Sequence, residues 1–146
     1  MDDGRKWNFD GKYTGKGRPW PLLSGERGQY ELALSKTRLT EDWPPDKKIS
    51  CKTPVNDVIA AQCRLDAMLG FANEGLMIPE QVWDKKETPS NSDREFVPEL
   101  KFGEGTGSAT PLAWSMAQFI RLAMNLQAGR NLDTPQVVYD RYVKNK

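Results

Sequence analysis

A chain of 146 residues, 38% of them hydrophobic, is long enough for one domain with a modest core and too apolar for a disordered tail. Its 21 basic and 20 acidic side chains nearly cancel to a formal charge of +1, so no global field favours nucleic acid or an anionic membrane, and a neutral ligand fits better. The absence of histidine excludes Ser-His and Cys-His nucleophiles and, with Cys51 and Cys63 at no metal spacing, a zinc site. No apolar run approaches the roughly 20 residues needed to cross a bilayer. Met1-Asp2-Asp3-Gly4 lacks the basic-then-apolar layout of a secretion signal, so the start reads as internal and the compartment stays open.

From Met1 to Arg18 the chain is rich in Gly, Lys and Asp, with Trp7, Phe9 and Tyr13 among them, which favours an irregular lead-in over residues 1–18. Lys12, Lys16 and Arg18 interleaved with aromatics would suit a grip on single-stranded nucleic acid, but Asp2, Asp3 and Asp10 offset the charge and no sustained basic groove follows. Leu22, Leu23, Glu26, Tyr30, Ala33 and Leu34 fall near helical spacing, which predicts a helix from Leu22 to Thr37 entered through Pro19-Trp20-Pro21. Trp20, at that entrance, reads equally well as a core aromatic or as a wall of a site. Glu26 and Arg27 are adjacent and do not face each other on a helix; they read as structural, as buried polar supports.

Trp43-Pro44-Pro45 cannot lie inside a helix, because consecutive prolines remove donors and clash with the preceding turn. Thr-Pro pairs then recur at Thr53-Pro54, Thr110-Pro111 and Thr134-Pro135. A hydroxyl that can accept from an orphan N–H, followed by a ring suited to the first helical position, predicts a helix start at each. The first helix is expected from Pro54 to about Glu74, with Val55, Val58, Ile59, Leu65, Leu69 and Ala72 in one stripe and Asp57 near its positive end. The second, from Pro111 to about Ala128, is apolar all round, which predicts enclosure by other helices. The third, Pro135 to about Val143, is short. Between them, Asp84 to Gly107 reads as a long polar connection; Gly103, Gly105 and Gly107 have neither the preceding strand nor the lysine of a phosphate loop. The class is therefore all-α, built from antiparallel helices, with no credible strand.

The most informative stretch is Asn73-Glu74-Gly75-Leu76-Met77-Ile78-Pro79-Glu80-Gln81-Val82-Trp83-Asp84. Gly75 is the expected left-handed residue after the helix, and Pro79 biases Ile78 toward extended geometry, so a rigid loop is predicted. It carries one carboxylate, Glu80, beside an amide, Gln81, and a large flat ring, Trp83. Acids move protons, amides bond hydroxyls and indoles stack on apolar sugar faces, a combination suited to sugar chemistry. The competing reading of a lone loop carboxylate is a solvated surface residue.

Extended back to Phe71-Ala72, this stretch resembles the catalytic-base segment of glycoside hydrolase family 15, the glucoamylases and glucodextranases, in its bacterial form. Two further blocks agree in content and order. Gly17-Arg18-Pro19-Trp20-Pro21-Leu22-Leu23-Ser24-Gly25-Glu26-Arg27-Gly28-Gln29-Tyr30-Glu31-Leu32 is similar to an upstream family stretch, and Gly107-Ser108-Ala109-Thr110-Pro111-Leu112-Ala113-Trp114-Ser115 to a downstream one. The resemblance runs from about Gly17 to the end and matches only the last part of a catalytic domain. It implies that residues 1–146 form a single unit, the C-terminal part of an (α/α)6 barrel of the six-hairpin glycosidase type.

The function implied is inverting, exo-acting hydrolysis of α-glucosidic bonds in glucans or oligosaccharides, with no cofactor and no metal. By match to the family motif Glu80 is the general base, Ser108 supports the base, and Trp20, Gln81 and Trp114 belong to the sugar pocket. Trp83, which stands where fungal members carry a smaller aromatic, is a further substrate-binding candidate. Inversion also requires a general acid, which the family places on an upstream helix pair; Glu26, Glu31, Glu41 and Glu74 match no such motif. The alternative is a non-catalytic helical sugar-binding or assembly module derived from the same family. Partners implied are an α-glucan or oligosaccharide, not nucleic acid or membrane. A barrel lacking its earlier helices would expose apolar faces, which implies self-association or pairing with the missing N-terminal part.

Overall fold

Proline at the first position of a helix loses nothing, because that N–H has no intrahelical acceptor. Accordingly α1, Pro21–Leu34, starts on Pro21, with Trp20 extended at the N-cap and its carbonyl accepting from the Leu23 N–H at 3.1 Å. A computed structural model of the chain describes residues 17–35, 51–52, 56–86 and 100–144. The lead-in over residues 1–16, the Trp43-Pro44-Pro45 connection and the Thr53-Pro54 pair lie outside the described residues.

Helix α2, Asp57–Gly70, is capped by Asn56, whose Oδ1 accepts from the Ile59 N–H at 2.9 Å; Asp57 stands in the first turn. A side-chain oxygen on an orphan donor and a negative charge at the positive end of the helix both favour this start. The cap is thus Asn56 rather than a Thr-Pro pair, and the helix ends at Gly70, short of Glu74. Helix α3, Ala113–Ala128, also starts later than expected. Thr110–Pro111 is a cis peptide, the Thr110 hydroxyl donates to the Ser108 carbonyl instead of capping, and Leu112 is the N-cap. At its C-terminus Gly129 is left-handed, with φ 64°, and its N–H meets the carbonyls of Asn125 and Leu126. Helix α4, Gln136–Tyr139, has Pro135 at its N-cap and continues as a π-helical stretch, Asp140–Lys144.

Helices α1, α2 and α3 pack on one another around Leu32, Val58, Ala61, Leu122 and Leu126, with Leu65 against them. Val58, Ala61, Leu65 and Met68 recur every three or four residues, so one face of α2 is apolar and buried. The close approach depends on glycine. A Cβ on Gly25 would lie 2.8 Å from Gln118 Cβ, and one on Gly28 would lie 2.6 Å from Leu122 Cδ2. Among the described residues the chain is helical, with an isolated antiparallel bridge between Val82 and Gly105 and no strand. No described helix is long and apolar enough to cross a membrane.

Polar side chains bind the bundle internally. Gln29 Nε2 donates to Gln118 Oε1 at 2.6 Å, and buried Asn125 uses its Oδ1 to accept the Leu132 N–H at 3.0 Å. The buried carboxylate of α1 is Glu31, not Glu26, which is exposed, as is Arg27. Glu31 accepts from Arg27 Nε at 2.8 Å and from Arg64 Nη2 at 3.1 Å, joining α1 to α2. Burial pushes the Glu31 carboxyl up, but the hydrogen bonds and charges of Arg64 and Arg27 outweigh it and hold the group below the ordinary carboxylate range. Cys51 and Cys63, which fit no metal spacing, are joined as a disulfide that ties the segment before α2 to the middle of that helix.

The expected enclosure of α3 is met on one side only. Ser115, Leu122, Asn125 and Leu126 are buried, while Trp114, Ile120 and Met124 are exposed on the other face.

Candidate functional site

After α2 the chain turns through residues 71–77. Asn73 Oδ1 accepts from the N–H groups of Gly75 and Met77, both at 3.0 Å, and the Asn73 N–H donates to the Met77 carbonyl at 3.1 Å. Because the side chain of Asn73 organises this turn, the left-handed residue is Leu76, with φ 60°, and not Gly75.

The next six residues are held from several directions. The Glu80 N–H donates to the Ala109 carbonyl at 2.8 Å, the Gln81 N–H to Ser108 Oγ at 3.2 Å, and the Trp83 N–H to the Glu104 carbonyl at 2.8 Å. In return the Gln81 carbonyl accepts from the Thr106 N–H at 3.0 Å and the Trp83 carbonyl from the Gly103 N–H at 2.9 Å. From the opposite side the Val82 N–H reaches the Pro19 carbonyl at 3.0 Å. From α3 and its entrance, the Leu112 N–H donates to the Ile78 carbonyl at 3.0 Å and Ser115 Oγ to the Pro79 carbonyl at 3.1 Å. The three sequence blocks meet here, with residues 19, 78–83 and 103–115 stitched together mainly through backbone groups.

Within this strip Ile78, Pro79, Gln81, Val82 and Trp83 are buried and Glu80 is half-buried. It is the one side chain between Ile78 and Trp83 with substantial exposure, on a backbone fixed on both sides. Gln81, 4% exposed, uses its Oε1 to accept from the Arg18 N–H at 2.8 Å. Ser108 is half-buried, and its Oγ accepts from the Gln81 N–H and, at 2.9 Å, from the Thr106 hydroxyl. Both contacts use the oxygen as acceptor, so the hydroxyl hydrogen remains to be donated.

The tryptophans fall in different places. Trp20 is half-buried at the N-cap of α1, next to the Pro19 carbonyl that holds Val82. Trp114 is exposed in the first turn of α3, next to the Ser115 hydroxyl that holds Pro79. Each indole is therefore one residue from an anchor of the Glu80 segment. Trp83 departs from the expectation of a sugar-stacking ring. It is 1% exposed, and the guanidinium carbon of Arg18 lies 4.2 Å from its ring centroid. A ring enclosed in this way has no open face for a ligand, and its role is to pack the segment.

Sequence reasoning missed Arg18 and Ser115. In sequence Arg18 reads as one basic residue in a charged lead-in, and its place at the start of the family-like Gly17-Arg18-Pro19-Trp20 block is the signal that could have found it. Ser115 closes the downstream family-like block, but a serine in the first turn of a helix is compatible with many roles. Among the described residues no group of His, Cys, Asp and Glu could hold a metal ion.

The family model for glycosyl hydrolases family 15 matches residues 10–124. A glucoamylase from Clostridium sp. (strain G0005) is 37% identical over 130 residues, which is 89% of this chain and 13% of that protein. A crystal structure of a bacterial glucoamylase complexed with acarbose superimposes with a TM-score of 0.55 at 34% identity, covering 88% of this chain and 13% of its own. The chain thus spans about 13% of the length of the relatives it matches. The glucoamylase structure is a six-hairpin (α/α)6 fold, and the helices described here correspond to a part of one. With its described helices, its ordered blocks and a family match over most of its length, the chain belongs to glycosyl hydrolases family 15.

Proposed function

We propose that this chain, as one unit, is the C-terminal part of an (α/α)6 catalytic domain that hydrolyses α-glucosidic bonds in glucans or oligosaccharides from the chain end with inversion. Glu80 is the general base. The observation that carries this reading is the position of Glu80, half-buried among buried neighbours on a segment whose backbone is fixed from three sides. A base must hold one orientation while it takes a proton from water, and that rigidity supplies it.

Ser108, anchored by the Gln81 N–H and the Thr106 hydroxyl beside the Glu80 segment, is the support of the base, with its own hydroxyl hydrogen left to donate. Trp20 and Trp114 flank the sugar and Gln81 bonds one of its hydroxyls. The general acid comes from outside these residues, across a gap of about 6.5–9.5 Å that admits the attacking water. No cofactor is called for.

The test is release of β-glucose from maltooligosaccharide or isomaltooligosaccharide, followed by polarimetry, with Glu80→Gln as control. A positioned base contributes about 10²–10⁴-fold, and Glu80→Gln should lower the rate by that much. Activity that survives the substitution would remove Glu80 from the mechanism. A second reading, a non-catalytic sugar-binding or assembly module, is favoured by the small share of its relatives that the chain spans. It predicts oligosaccharide binding, acarbose included, without release of glucose even when the upstream part of the barrel that carries the general acid is supplied.

A further inference from the structure

Two residues outside the Glu80 segment clasp it. Arg18 and Pro19 make four contacts with residues 81–84: the Arg18 N–H to Gln81 Oε1 at 2.8 Å, Arg18 Nη1 to Asp84 Oδ1 at 2.8 Å, the guanidinium over the Trp83 ring, and the Pro19 carbonyl to the Val82 N–H. The Arg18 side chain is 9% exposed, against 39% for that of Asp84. A backbone N–H can only donate, so the end of the Gln81 amide that meets it must be the oxygen. The planar amide then turns Nε2, a donor, away from Arg18.

The arrangement is not one that stability alone would select. Arg18 Nε and Trp83 Nε1 are both buried without a hydrogen-bond partner. Buried donors in that condition are rare and cost stability, and an apolar side chain at either position would avoid the cost. What the arginine adds over an apolar residue is a charge locked to Asp84 and a flat surface locked to Trp83, which together fix where its own backbone N–H lies.

We infer that Arg18 is a positioning residue that orients the Gln81 amide so that its Nε2 end is presented as a hydrogen-bond donor to an oxygen of the bound sugar. This rests on the reading of Gln81 as a sugar ligand. Arg18 does not touch the ligand; it decides which atom of Gln81 does.

The experiment is a double-substitution cycle on the full chain, with maltotriose binding followed by calorimetry at a temperature well below unfolding. Arg18→Met, which keeps the N–H but removes the ion pair and the flat stack, should weaken binding by about tenfold, the equivalent of one hydrogen bond. In a Gln81→Ala background the same substitution should change affinity by less than about twofold, because residues that act through one contact are not additive. Arg18→Lys, which retains the charge facing Asp84, should recover part of the loss. Equal losses in both backgrounds, or no loss in either, overturns the inference, since a residue that only stabilises the fold would show no dependence on Gln81. Should Arg18→Met fail to fold, Asp84→Asn weakens the same clasp from its exposed side and is read in the same way. If the unsubstituted chain does not bind maltotriose, the sugar-site reading fails. The clasp is then judged by hydrogen exchange: the Arg18 N–H should exchange at least about tenfold faster in Asp84→Asn if the clasp holds it, and an unchanged rate overturns the clasp.

Discussion

The approach of α1 to α3 gives a prediction that can be worked from contact distances. Gly25→Ala places a methyl carbon 2.8 Å from Gln118 Cβ and 3.1 Å from Met68 Sδ. Non-bonded carbons are comfortable at about 3.5–4.0 Å, so α1 must withdraw from α3 by about 0.7–1.2 Å or distort locally. The obstructing carbon is the stem of Gln118, not the end of a flexible chain, and Gln118 is held by Gln29. Overpacking of this kind costs about 1–3 kcal/mol, offset by up to about 1 kcal/mol because alanine is the better helix former. The net loss of about 0–3 kcal/mol corresponds to a fall in Tm of up to about 12 °C for a domain of this size. Thermal unfolding followed by circular dichroism measures it. Gly70→Ala is the control: Gly70 closes α2, and a Cβ there meets nothing within 4 Å. A Gly25→Ala protein as stable as the Gly70→Ala protein would refute the close-approach argument and mean that the helices sit farther apart than described.

Two other outcomes follow from pairings within the bundle. Glu31 has a folded pKa below its unfolded value, so its contribution to stability is fully present above the unfolded carboxylate range and is lost as the pH falls through the folded value. The stability gap between the wild-type chain and Glu31→Gln, measured by urea unfolding, should therefore be constant from neutral pH down to about pH 5 and close below it; a gap that widens with acid contradicts the pairing with Arg64 and Arg27. The Cys51–Cys63 disulfide closes a loop with a sequence separation of 12 residues. On a chain-entropy estimate such a loop is worth about 3 kcal/mol, so dithiothreitol should lower the Tm by about 6–12 °C, and the Cys63→Ser protein should be insensitive to it.

How far the fold could be read from sequence varied with the local chemistry. The start of α1 was legible because proline after an extended residue admits few structures. The start of α2 is not legible from the Thr53-Pro54 pair, because Asn56-Asp57 just after it is an equally good cap, and the Asn56 oxygen accepts from the Ile59 N–H. At Thr110-Pro111 a tertiary contact decides. The Leu112 N–H is taken by the Ile78 carbonyl, which holds the chain extended until Ala113. The disulfide was not legible at all, since pairing Cys51 with Cys63 depends on how the segment before α2 lies along that helix.

The site shows the same limit in sharper form. A strand-like segment with one open side should alternate between buried and exposed residues. Residues 81–83 do not alternate, because the clasp of Arg18 and Pro19 covers one side while residues 103–109 cover the other. Residue type could therefore suggest Gln81 and Trp83 as ligand-facing, but it could not say that both would be enclosed or that an arginine would lie over the indole. Enclosure changes what each can do. Trp83 loses its free face, whereas Gln81 keeps one useful atom, because a single backbone N–H captures its oxygen and leaves the nitrogen. The chemical character of the segment thus depends less on the residues it contains than on which neighbouring donors reach them first, and the strip of backbone contacts around Glu80 sets that order.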